Sequence, residues 1–181
     1  MDISTYFPKI TYEGLPSRNL MFKIGLIKDL LKKYKIYYPY TVKDGERADT
    51  IAYDYYGDSS YEWLVCLPNN IHDLHSDWVK SYDDFYRYLI TTYGDVETPQ
   101  TTISHYKYTG VGDADLEFGR KTWKMSVNTF DNSTLTEQAG WTPVYVYDYE
   151  MELNESKREI ILISNEYLNQ INKELRDLSN A

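Results

Sequence analysis

Cysteine is nearly absent from this chain. The one thiol, Cys66, excludes an intramolecular disulfide framework and any zinc site built on cysteines. It lies within Trp63-Leu64-Val65-Cys66-Leu67, an apolar setting that raises a thiol pKa and leaves the group inert. Long apolar runs are missing too. The longest, residues 63–68 and 160–163, fall far short of the roughly 18 residues that span a bilayer. The opening MDISTYFPKI places Asp2 and Pro8 where a signal peptide needs a basic start and an unbroken apolar stretch. The expectation is a protein made in the cytoplasm with no membrane partner. Basic residues are outnumbered, 19 against 28 acidic, and the net charge of −9 has the wrong sign for nucleic acid.

Catalytic signatures are equally scarce. There is no G-x-S-x-G, no Walker loop and no H-E-x-x-H. Gly110-Val111-Gly112 lacks the third glycine of a dinucleotide site, and Asp113 and Asp115 beside it would repel phosphate. Asp113-x-Asp115-x-Glu117 imitates the start of a calcium loop. Gly119 comes one place late, however, and Lys124 stands where a bidentate Glu belongs. His72 and His75 with Asp73 and Asp77 fall in a turn and lack a coherent ligand set for zinc, the only other histidine being His105. No carboxylate pair stands out as general acid and base in so acidic a chain. The expectation is a non-enzymatic protein with no catalytic residue, no cofactor and no metal.

What is present is tyrosine: 20 residues against 5 Phe and 4 Trp. Tyrosine pairs a rigid apolar face with a hydroxyl that needs a partner, which suits surfaces buried against other proteins. The 181 residues, 42% apolar and 26% charged, are enough for a core held by packing alone. Charge is uneven. Residues 1–36 hold seven basic and three acidic side chains, whereas residues 37–100 hold four basic and twelve acidic ones. A basic head beside an acidic middle is complementary within one chain or between neighbouring subunits.

Periodicity divides the chain into five segments. In residues 1–36 an arm precedes an amphipathic helix over residues 20–34, with Leu20, Ile24, Ile27, Leu31 and Tyr34 on one side and four lysines on the other. Residues 37–80 read as a strand over residues 36–42, with Pro39 demoting it to an edge, then a turn at Gly45 and two short helices stopped by Gly57 and by Asn69-Asn70. Residues 81–100 give a helix capped by Ser81, carrying Phe85, Tyr88, Leu89 and Tyr93, and a linker over residues 94–101. Residues 101–153 show β patterns at residues 103–109, 122–127 and 144–149, consistent with a small antiparallel sheet. Residues 154–181 read as one long helix, with a capping-box pattern at Ser156 to Glu159 and a seam of Leu168, Ile171, Leu175 and Leu178. Such a seam folds onto its own domain or docks on another subunit, and those four leucine and isoleucine residues are the candidate interface. The fold class is α+β.

One stretch carries a recognisable pattern. Tyr40, Gly45, Ile51-Ala52, Tyr55, Gly57, Trp63 and Asn69-Asn70 together resemble the first two thirds of a LysM module, a β-α-α unit. The module's usual closing turn and strand do not follow, and His72-Asp73-Leu74-His75-Ser76-Asp77-Trp78 stands there instead. With the run from Asp44 to Asp58, Trp78, Ser81, Ile103-Ser104-His105-Tyr106 and Asn154 to Ile160, the chain resembles the baseplate wedge protein 53 family of T-even-like contractile-tailed phages. The resemblance implies a structural subunit of the virion tail baseplate that joins neighbouring wedge proteins in a heteromeric assembly. The alternative it leaves is a LysM-type module binding peptidoglycan or chitin, with peptidoglycan the lesser reading.

Overall fold

The computed structural model describes residues 7, 9–19, 37–110 and 123–179. The basic helix expected over residues 20–34 and the acidic stretch at 113–117 lie outside them. The chain divides into two units, one made of Met1–Val79 with Lys157–Ala181, the other of Lys80–Ser156. The second unit is thus inserted into the sequence of the first.

In the first unit, β1 (Lys9–Tyr12) and β2 (Leu15–Arg18) form a hairpin through Glu13 and Gly14, both at positive φ. Two consecutive left-handed residues give the two-residue turn whose twist matches that of the flanking strands. The core begins with β3 (Tyr37–Thr41), followed by α1 (Ala48–Tyr56), a 3-10 turn at Ser59–Tyr61, α2 (Glu62–Cys66) and a 3-10 turn at Leu67–Asn69. Gly57 at φ 81° stops α1 by donating its N–H to the Tyr53 carbonyl, at 2.9 Å. Val42, Ile51, Ala52, Leu64 and Val65 are buried together. Burying each large aliphatic side chain among them contributes about 1.5–3 kcal/mol.

The strand that closes this unit lies far away in sequence. β7 (Glu159–Ile163) pairs antiparallel with β3, Tyr37 opposite Ile163 and Thr41 opposite Glu159. The first unit is therefore strand, helix, helix, strand, with residues 80–156 inserted between the second helix and the second strand. This corrects the expectation of one helix starting at Ser156. Ile160, Leu162 and Ile163 are all buried, and residues 160–163 form an unbroken apolar run, which marks a strand covered on both faces. The Ser156 hydroxyl donates to the Leu153 carbonyl at 2.7 Å, closing the preceding helix instead of opening a new one. After a 3-10 turn at Asn165–Tyr167 the last helix spans only Leu168–Ser179, about 18 Å.

In the second unit, α3 (Tyr82–Tyr93) starts at Ser81, whose hydroxyl accepts from the Asp84 N–H, and buries Phe85 and Leu89. The segment read as a linker contains a helix, α4 (Glu97–Thr101), because the Asp95 carboxylate accepts from the Thr98 N–H at 2.6 Å and Pro99 is buried. Strand β4 (Ile103–Tyr108) is central in a three-stranded antiparallel sheet between β5 (Lys124–Met125) and β6 (Trp141–Tyr145). Between β5 and β6 lie two short helices, α5 (Val127–Asp131) and α6 (Leu135–Gln138). The third expected strand is displaced: β6 ends at Tyr145 and α7 (Val146–Ser156) begins directly. The Val146 N–H donates to the Thr102 carbonyl beyond the end of the β4 ladder, at 2.9 Å. The last helix of the first unit, Leu168–Ser179, is α8.

Candidate functional site

The motif residues at 40–70 are gathered in the first unit, and each has a structural task. The Tyr40 hydroxyl donates to Glu46 Oε1 at 2.7 Å, and Oε2 of the same carboxylate accepts from the Lys43 N–H at 2.9 Å. Burial, and then the anionic partner, push the Tyr40 phenol up to about 12. Gly45 supplies the positive φ this turn needs, at 71°. Ile51 and Ala52 are core residues, and Trp63 packs against the core they form. The Tyr55 ring stacks on Tyr38 at 6.1 Å and meets Tyr56 edge-on at 4.9 Å. Asn70 takes the left-handed conformation, φ 55°, that ends the second helix.

Asn69 makes the most consequential contacts. Its Nδ2 donates to the carbonyls of Val65 and Ile161 at 2.7 and 2.8 Å, while its Oδ1 accepts from the Ile161 N–H at 2.9 Å. The side-chain amide therefore pairs with β7 as a neighbouring strand would. Two residues on, the Tyr56 hydroxyl donates to the Ile163 carbonyl and accepts from the Ile163 N–H, both at 3.0 Å. Desolvation raises the Tyr56 pKa, so the phenol stays neutral and serves both roles. Between them these side chains close the outer edge of β7. Sequence reasoning marked Asn69 only as a helix stop and missed Tyr56, because the strand they hold lies about 90 to 110 residues further on.

The loops at the ends of this sheet are tied to one another. Trp78 donates its indole N–H to the Glu46 carbonyl at 2.9 Å. The Arg158 guanidinium donates to the Val42 carbonyl at 3.0 Å and stands 4.0 Å from the Asp44 carboxylate. Lys157 Nζ reaches the Ser76 carbonyl at 2.7 Å. The histidine and aspartate stretch is a turn knit together by its own carboxylates. Asp77 accepts from the N–H groups of His72 and Asp73, and Asp73 from the His75 N–H and the Ser76 hydroxyl. Those hydrogen bonds hold both carboxyls below the ordinary aspartate range. No three His, Cys, Asp or Glu groups cluster in metal-binding fashion among the described residues. Burial pushes the Cys66 thiol up to about 11.

In the second unit, the phenols of Tyr88 and Tyr93 both donate to Glu150, at 3.1 and 2.9 Å. His105 lies edge-on to Tyr149, and desolvation, with Lys124 nearby, lowers its pKa. Asn154 is buried and clamps Lys80. Its Oδ1 accepts from the Lys80 N–H at 2.8 Å and its Nδ2 donates to the Lys80 carbonyl at 3.0 Å, so the two ends of the inserted unit are held together. Nothing in the local sequence signals this pairing.

Two residues of the seam on α8, Leu168 and Ile171, pack within the first unit. Ile171 is 4% exposed within the first unit's core, and Leu168 packs against that core. Ile171 is thus a core residue of its own subunit, because the chain that turns back after β7 lays the start of α8 on it. The side chains of Leu175 and Leu178 lie outside the described residues.

A family model described as base plate wedge protein 53 matches residues 18–178. The chain belongs to the base plate wedge protein 53 family. The match spans both units, so the inserted unit is part of what the family shares with this chain. Membership makes the chain a structural component of a phage tail baseplate. No curated protein matches it. Among the described residues, no helix is long and apolar enough to cross a membrane.

Proposed function

We propose that this subunit joins neighbouring wedge proteins during baseplate assembly, performs no catalysis, and uses its LysM-like module as a structural element and not as a glycan binder. The observation that carries the reading is the pairing of β3 with β7 across the insertion, within a chain matched over residues 18–178. A strand-helix-helix-strand unit supports the LysM likeness more fully than the sequence alone did, since the second strand is present after all. Its pattern residues are occupied as core, turn, cap and edge closure. The loops around the two strands, from which a LysM module builds its glycan groove, are bound to each other through Trp78 and Arg158. That favours a structural module over a peptidoglycan or chitin binder.

Complementation tests this directly. Phage lacking the subunit are expected to accumulate incomplete baseplates, and supplying the wild-type chain in trans should restore complete ones. Titration of the whole protein with chito-oligosaccharides should give no saturable heat. Complete baseplates in its absence would overturn the assembly role, and micromolar glycan binding would establish the alternative.

A further inference from the structure

Five of the six sheet edges among the described residues are protected. Exposed edges template pairing with other chains, and folded proteins blunt them with proline, lysine, shortness or covering groups. In β3, the Val42 N–H bonds to the Arg158 carbonyl, so Tyr40 and Tyr38 also bond toward β7, and Pro39 stands at an outward position with no N–H to offer. In β6, the Thr109 N–H bonds to the Gly140 carbonyl, which by the same alternation turns Pro143 outward. The β7 edge is closed by Asn69 and Tyr56. The β5 edge is two residues long and presents Lys124. In the hairpin, the two-residue turn makes Tyr12 and Leu15 the bonded pair, so Pro16 faces out from β2.

β1 is the least protected: it is four residues long and only Lys9 blunts it. By the same alternation Lys9 and Thr11 direct their backbone N–H and C=O groups outward, with no proline between them. Ile10, Tyr12 and Leu15 share one face of this hairpin and are 40%, 65% and 68% exposed. A two-stranded hairpin with an uncovered apolar face is at best marginally stable alone. On its other face Lys9 and Arg18 stand directly opposite each other, a like-charge pair that costs stability; the Arg18 guanidinium also donates to the Phe7 carbonyl at 2.8 Å, a neutral partner that leaves the charge uncompensated.

We propose that β1 receives an extended segment of a different baseplate subunit, which pairs with Lys9–Tyr12 as an added strand, covers Ile10 and Tyr12, and brings a carboxylate to Lys9 and Arg18. The charge selects the occupant. Pairing with a second copy would gather four cations on one face of the joined sheet, whereas a carboxylate-bearing segment neutralises two. This inference rests on the assembly reading above and names the surface that serves it.

A photoreactive phenylalanine derivative placed at Thr11 in complementing protein, irradiated in assembled baseplates, is expected to cross-link to an acidic, extended peptide of another subunit. Lys9→Glu with Arg18→Glu should lower incorporation into baseplates by about tenfold while leaving the thermal unfolding of the free protein unchanged. A cross-link to this chain itself or to a second copy would overturn the proposal, as would normal incorporation of the double variant. Those outcomes leave the complementation result standing, so failure of this surface is distinguishable from failure of the assembly role. Should the double variant unfold, the cross-link decides alone.

Discussion

Replacing Asn69 with alanine should release β7 from the first unit without touching its apolar core. Three hydrogen bonds disappear, at 2.7, 2.8 and 2.9 Å, all partly buried. A net contribution of about 1 kcal/mol each gives ~3 kcal/mol, and leaving the partly buried Ile161 N–H without its partner adds a desolvation penalty. The Val65 and Ile161 carbonyls have a second lone pair and lose less, so the total should be about 2–4 kcal/mol. Asn69→Asp separates geometry from polarity. The carboxylate still accepts from Ile161, yet it sets a negative oxygen against two carbonyls, so it should be as damaging as alanine at pH 7. Amide exchange of Ile161 and Ile163, followed in the intact chain, reads the opening of this strand without assuming that both units unfold together. Exchange slowed as much in Asn69→Ala as in the wild type, a difference below about 0.5 kcal/mol, would refute the edge-closure reasoning.

Replacing residues 80–156 with a short flexible linker should leave the first unit folded, with native exchange protection at Ile160–Ile163, because Lys157 already reaches Ser76 at 2.7 Å; loss of that protection would mean the inserted unit is needed to close the fold. Cys66, pushed up to about 11, should have only about one thiolate per thousand chains at pH 8 and react with a disulfide reagent far more slowly than in denaturant; equal rates would contradict its burial. Acid should destabilise the protein through Asp58, Asp73, Asp77, Asp95 and Glu137. Backbone N–H groups hold their folded pKa values low, Asp58 at about 2, so the stability they contribute is complete only above about pH 5 and fades as pH falls toward 2. Circular dichroism melts across that window check the direction, and a flat profile would remove it.

Much of the first unit was legible in the chain because its signals are local. Gly45 and Gly57 sit where positive φ is needed and Pro39 marks an edge strand, and in the second unit Ser81 likewise caps the helix it precedes. The hairpin at residues 9–18 escaped notice, although Glu13-Gly14 between Tyr12 and Leu15 is a two-residue turn signal. The C-terminal region misled for a definable reason. Ser156 to Glu159 satisfies the capping-box pattern, yet residues 160–163 have no polar side chain to turn outward on a helix, and a strand is the element that uses all four. Likewise, the β pattern at residues 144–149 runs across the junction of β6 and α7, where the change of period falls within a single residue. Contacts over long separations were beyond reach: Asn69 with Ile161, Tyr56 with Ile163 and Lys80 with Asn154 join residues 74 to 107 positions apart.

Those long-range contacts also explain why so many polar side chains are committed to structure in a protein of this family. A strand supplied from beyond an inserted unit arrives without a tight turn to set its register, so register must come from what the strand meets. The apolar pattern of β7 cannot do this alone, since Ile161 and Ile163 face the opposite way along the ladder from Ile160 and Leu162 yet are equally hydrophobic, and a one-residue slip would exchange the two sets at little cost. Asn69 and Tyr56 remove that ambiguity. Each offers a donor and an acceptor at a fixed height, two residues apart on β7, and a slipped strand would present them with backbone groups turned toward β3. Asn154 performs the corresponding task at the base of the inserted unit, fixing its two ends on each other. Register chosen by hydrogen-bonding amide and phenol groups, not by hydrophobicity, lets a module accept a whole folded unit between its helices and its last strand and still close in one way.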